Sequence, residues 1–228
     1  MKPLLIFVLC FAVVSGCNAA SAAVSACPSQ QYVEILVADP PTTRQICAAA
    51  ALAIDFLCRF GIRPKRSIQI EVVEEQIVHS GYSAYGSYDS KSDRIRLMSF
   101  AAIHAQISSP QMYGEPLDVV HYAGVIAHEV AHAVVQHNLH AKLISPVPQE
   151  YLAHATQFAV LPVERRNRIL KKMNVTSWES GDAISDIYLG LEPGKFAAKS
   201  YLHLTQMLDP GPFVAILLNA KWFYVYVP

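Results

Sequence analysis

What this chain lacks narrows its function first. Its formal charge is zero, with 18 basic and 18 acidic residues among 228. That balance gives no electrostatic case for nucleic acid as a partner. It has no Cys-x-x-Cys pair, so its five cysteines do not form a zinc ribbon or a thioredoxin-type redox motif. Internal repeats and low-complexity linkers are absent, which argues for one domain. No Gly-x-Ser-x-Gly elbow is present, so serine hydrolysis has no support. Beyond the N-terminus no apolar run is long enough to cross a membrane; the stretch Phe213 to Val227 is interrupted by Asn219 and Lys221. The mature chain therefore reads without a transmembrane anchor.

The N-terminus has the form of an export signal. Lys2 is a short positive start, Pro3 to Val14 is apolar, and small residues follow to Ala26. Residues 1–26 are thus expected to be a signal peptide cleaved at about 16–26, leaving residues 27–228 as a single domain. Two processing routes fit. Signal peptidase can cut at Ala20-Ser21-Ala22, or Val14-Ser15-Gly16-Cys17 resembles a lipobox that would place a lipid anchor on Cys17. Val24-Ser25-Ala26-Cys27 is a weaker version of the same pattern. Either route makes the protein exported, periplasmic or extracellular, and the second attaches it to a membrane as a lipoprotein. Cys27, Cys47 and Cys58 remain after processing. Cys47 and Cys58 lie eleven residues apart on one expected helix, roughly 16 Å, and cannot pair with each other. Cys27 can pair with either, or all three stay thiols.

The segment Val125 to Val135 carries the chemistry. It reads His128-Glu129-Val130-Ala131-His132 inside an apolar helical run. Histidines four apart share one helix face, a spacing that lets two imidazoles grip one Zn²⁺. Glu129 stands where a carboxylate can take a proton from water activated by the metal. A catalytic zinc needs a third protein ligand. The metzincin extension is absent, because Val135 and Asn138 hold its Gly and His positions. His137 and His140 are off that spacing and read as polar helix-end residues. Glu150, eighteen residues after His132, is the better candidate. It follows Pro148 at the start of a second helix, which is expected to run antiparallel to the first.

His-Glu-x-x-His with a Glu on the next helix resembles the gluzincin branch of the zinc metallopeptidases. The resemblance covers residues 80 to 160. It implies a zincin-like α+β fold with a small N-terminal sheet, a central His-Glu-x-x-His helix and a helical C-terminal lobe. It also implies one Zn²⁺ on His128, His132 and Glu150, with Glu129 as general base and peptides or proteins as substrate. In many gluzincins an acid one turn after the ligand Glu braces the first His; here that position is His154. The implied function is an exported zinc-dependent peptidase, a hydrolase. The alternative is a catalytically silent zinc-binding envelope protein of the same fold.

The remaining pattern supplies a frame. Strands are expected at Gln31–Ala38 and Ser67–Ile77, with a hairpin joining Tyr85–Asp89 to Arg94–Met98. The resemblance to zincins implies that this hairpin is the sheet edge that takes extended peptide. Helices are expected at 43–60 (capped by Thr42 or Thr43 and ending at Gly61), 99–106, 116–137, from Pro148, 164–173, 181–189, 193–207 and 211–220. The basic helix 164–173 is read as a solvated face. Tyr151, His154, Tyr201 and His203 are candidates for stabilising an oxyanion.

Overall fold

The computed structural model describes residues 24–219 apart from 29, 37–38, 80, 141–144 and 180–182. The expected signal segment up to residue 23, with Cys17, lies outside the described residues, as does Ala220.

Alternation of apolar and polar residues builds a mixed five-stranded sheet of order β1-β2-β3-β7-β6. Its strands are β1 (Val24–Cys27), β2 (Gln30–Leu36), β3 (Ile68–Val73), β6 (Gly86–Asp89) and β7 (Arg94–Met98). The central strands β2, β3 and β7 are parallel, while β1 and β6 run antiparallel at the two edges. Val33, Ile35, Ile68, Ile70, Ile95 and Leu97 form the buried face. Parallel strands need long crossovers. The first is helix α1 (Pro40–Cys58); the second passes through the small hairpin β4 (Ile77–His79) and β5 (Tyr82–Ala84). The expected strand 67–77 therefore divides at Val73.

Helix α1 begins earlier than expected. Asp39, not Thr42 or Thr43, caps it by accepting the Thr42 N–H at 2.8 Å, and prolines occupy the first turn. Cys47 on this helix is bonded to Cys27, which ties β1 to α1 across 20 residues; Cys58 is free. Residues 24–26, at the end of the range expected for cleavage, are strand residues of β1.

Helix α2 (Phe100–Gln106) is capped by Ser99, and β8 (Gln111–Met112) with β9 (Glu115–Pro116) makes a short ribbon after it. Helix α3 (Val119–Asn138) starts three residues later than Pro116. Asp118 takes the Val120 and His121 N–H groups, and Pro116 belongs to β9. Fourteen of its 20 residues are buried, which makes it the central helix. It packs on α1, on α4 (Val147–Ala159) and on β6 and β7. The C-terminal lobe comprises α5 (Val163–Met173), α6 (Asp186–Leu191), α7 (Pro193–Gln206) and α8 (Gly211–Leu218). The protein is a mixed α+β domain. Among the described residues no helix is long and apolar enough to cross a membrane.

Helix α5 is more than a solvated face. Arg165 donates to Glu115 at 3.0 Å and to Asp118 at 2.6 Å, and Arg168 donates to Glu115. These bonds tie α5 to the start of α3, where buried His121 also meets Glu115 at 3.2 Å.

Candidate metal centre

Four contacts between α3 and α4 show how they align. Gln149 bonds to both Gln136 and His132, the His154 ring touches that of His128, and Gln157 packs on Gly124. Positions fall on one helix as they rise on the other, so the pair is antiparallel, as expected. This register brings Glu150, in the first turn of α4, to the two histidines of α3.

The three side chains converge. His128 Nε2 and His132 Nε2 are 3.0 Å apart, and the Glu150 carboxylate oxygens lie 3.6 and 3.5 Å from them. Three ligands on a tetrahedral ion with arms of about 2.05 Å are separated by about 3.3 Å. The observed spacings bracket that value. His128, His132 and Glu150 therefore form a donor set that can hold one metal ion.

The triad opens on a cleft of about 420 Å³. One wall is β6 with the residues before it, Ala84 and Tyr85. The floor is His128, Glu129, His132 and Glu150, and Met112, Val125, His154 and Gln157 close it. Glu129 is buried against the wall. A methyl group at position 86 would lie 2.8 Å from Glu129 Cγ and 3.1 Å from its Oε1. Only glycine allows this approach of strand to helix. Burial pushes the Glu129 carboxyl up to about 8, the Glu150 charge adds to this, and a bond from the Tyr88 N–H opposes it.

That bond follows from the pairing of β6. Met98 N–H donates to Tyr85, and Gly86 faces Leu97 in antiparallel register. Hydrogen-bonded pairs alternate along such a ribbon, so the backbone groups of Gly86 and Tyr88 turn away from β7. Among the described strands β6 is an edge, as expected of this hairpin.

Second contacts orient the ligands. His132 Nδ1 meets Gln149 Oε1 at 3.3 Å, and Gln149 is held by Gln136 at 2.8 Å. With Nδ1 donating, Nε2 presents its lone pair to the centre. The Tyr88 ring lies parallel to that of His132 at 6.5 Å. Its hydroxyl donates to Asp93 at 2.6 Å. Burial pushes the Asp93 carboxyl up, but bonds from Arg66, Tyr88 and His137 outweigh it and hold it below its ordinary value. His137 stands in the last turn of α3, as expected of a helix-end residue, but it is buried and faces Asp93 at 3.2 Å.

The oxyanion candidates separate. His154 lines the cleft, with its Nε2 3.6 Å from Glu150 Oε2. Tyr151 and His203 turn away and bond each other at 2.7 Å against Phe213. Burial pushes the His203 ring down to about 4, so it stays neutral there. Tyr201 packs on Phe158 under Arg166, outside the cleft. Gly86, Tyr88, Asp93, Gln149 and Gln157 carry no mark in the sequence. Their parts depend on which strand and helix lie beside α3.

Fold and site together define the class: an α+β domain whose cleft joins two helical histidines and a glutamate in a metal-ligating arrangement. More particularly, the chain belongs to the family described as a family of unknown function, DUF6639, whose sequence profile matches residues 33–226. No curated protein and no solved structure matches it.

Proposed function

We propose that the protein is an exported zinc-dependent peptidase with a gluzincin-like site on a zincin-like fold. The observation that carries this reading is the convergence of Glu150 on His128 and His132 at spacings suited to a tetrahedral ion. Two imidazoles and one carboxylate are a donor set typical of catalytic zinc, which keeps an open coordination position. When bound, zinc supplies Lewis acidity and brings the pKa of water toward neutrality.

The chain's own residues supply the rest. Glu129 accepts a proton on its carboxylate and returns it to the leaving amine. The outward backbone of Gly86 and the outward Tyr88 carbonyl, the Tyr88 N–H being taken by Glu129, pair an extended peptide by strand addition. Cleft walls at Met112 and Val125 exclude water beside the scissile bond. Of the oxyanion candidates, His154 is the one on the cleft, beside Glu150. The Cys27–Cys47 disulfide supports an oxidising, extracytoplasmic location.

Glu129→Gln tests the reading. Zinc content should stay stoichiometric while hydrolysis of a casein or mixed-peptide substrate falls about 10²–10⁴-fold. A second reading, a silent zinc-binding envelope protein, is favoured by one observation: His128 Nδ1 has no hydrogen bond of ordinary geometry. Under it the wild type binds zinc, hydrolyses nothing, and Glu129→Gln changes nothing.

A further inference from the structure

The sequence puts His154 where an acid would brace the first histidine, and the ring nitrogen of His128 that needs the brace is buried without a well-formed partner. With a metal ion held by the facing Nε2 atoms of His128 and His132, Nδ1 would be the protonated nitrogen of each ring. For His132 the acceptor is Gln149. For His128 an unpaired buried N–H is costly, and an acceptor within reach removes that cost.

Gln157 lies on that side. Its Cγ packs where Gly124 lacks a side chain; a methyl there would lie 3.3 Å away. Gly124 is one turn before His128 on the same face of α3. Glycine inside a helix is destabilising relative to alanine. Here it lets Gln157 sit deep between the helices. Gln157 Oε1 meets His154 Nδ1 at 3.2 Å, and the His154 ring contacts the His128 ring at 4.6 Å between centroids. Gln157 Nε2 donates to Met112 Sδ at 2.9 Å, which turns the carbonyl oxygen toward the histidines. A carboxamide oxygen has two lone pairs and can accept from two rings.

We infer that Gln157 is the positioning residue of the metal centre: its Oε1 accepts from His128 Nδ1 as well as from His154. The brace has moved from four to seven residues after Glu150, two turns along the same face of α4, and Gly124 is the space that admits it. Burial pushes the His128 ring well below its ordinary value, with His154 and His132 adding to this, and Gln157 pulls the other way.

The inference rests on the zinc reading and is tested by zinc affinity. Competition with a chromophoric chelator should show Gln157→Leu binding zinc about 10–100-fold more weakly than wild type. Gln157→Glu should bind at least as tightly as wild type, because a carboxylate is the stronger acceptor. Both variants, loaded with Co²⁺, should shift the visible d–d bands, which a purely packing role would leave in place. A Gln157→Leu chain with zinc affinity within about twofold of wild type and unshifted cobalt bands overturns the brace alone. If Gln157→Leu does not fold, unshifted bands in Gln157→Glu overturn it instead. A wild-type chain that binds no zinc overturns the zinc reading and the brace together.

Discussion

Helix α3 carries two clusters of acids and histidines, about two turns apart, and they differ in one respect. At its N-terminal end Glu115, Asp118 and His121 meet Arg165 and Arg168. At its middle Glu150 meets His128, His132 and His154 and Glu129 accepts the Tyr88 N–H; among the described residues neither carboxylate has an Arg or Lys in an ion pair. The effect on the carboxylates is opposite. A bond from Arg168, with further bonds from His121 and Arg165, holds Glu115 below its ordinary range against the effect of burial. Burial and the Glu150 charge push Glu129 up to about 8. A cluster that brings its own cations is complete and braces the fold. A cluster of carboxylates and imidazoles with no Arg or Lys partner among the described residues has room for the positive charge of a divalent cation. The comparison separates a structural cluster from a binding one without reference to the motif.

The largest effect expected from that contrast is on metal binding. Glu150→Ala removes the carboxylate that converges on both histidines. Zinc affinity measured by chelator competition should fall by more than the ~10–100-fold that loss of a supporting hydrogen bond costs. Full retention would remove Glu150 from the donor set and dissolve the distinction between the clusters. Gly86→Ala comes next. The added methyl displaces Glu129 without touching a ligand, so kcat/KM should drop about 10–100-fold while zinc stays bound, in keeping with the cost of a misplaced catalytic group. Unchanged turnover would show that strand and base can move apart freely.

The smallest effect belongs to the N-terminal cluster. Arg165→Ala should cost about 1–3 kcal/mol in denaturant unfolding, the range for lost bonds to charged groups, with no change in zinc affinity. Its acid profile provides a sign. Asp118 is pushed up by burial but pulled lower by the His121 N–H and Arg165, and Glu115 is also lowered. Groups depressed on folding stabilise above their unfolded values near pH 4 and lose that contribution as pH falls through the folded values. The wild-type midpoint should therefore decline below about pH 4, and Arg165→Ala should flatten that decline. A variant as acid-sensitive as wild type would contradict the pairing.

Much of the centre was legible because it is local. A spacing of four fixes His128 and His132 on one face, and Pro148 marks the helix start that carries Glu150. The hairpin 85–98 was readable from alternation, and its edge position follows. Other features required the register between elements. Nothing in Tyr85-Gly86-Ser87 announces contact with Glu129, and the pairing of Gln157 with Gly124 depends on how α4 lies on α3. The candidacy of Tyr151 and His203 failed for the same reason: the residues fit the chemistry, but their helix face points into the C-terminal lobe. Cys27 had two available partners. The antiparallel return of β1 beside the start of α1 selects Cys47 over Cys58 at the far end.

The missing side chain at Gly86 gives the cleft a fixed jaw. Strand and carboxylate touch with only a hydrogen atom at Cα between them, so no rotamer can widen or narrow the gap. A peptide laid along β6 would inherit that spacing from the backbone itself, independent of its own sequence. Register against Glu129 then becomes a property of the main chain, leaving the side-chain contacts at Met112 and Val125 free to change without disturbing the chemistry.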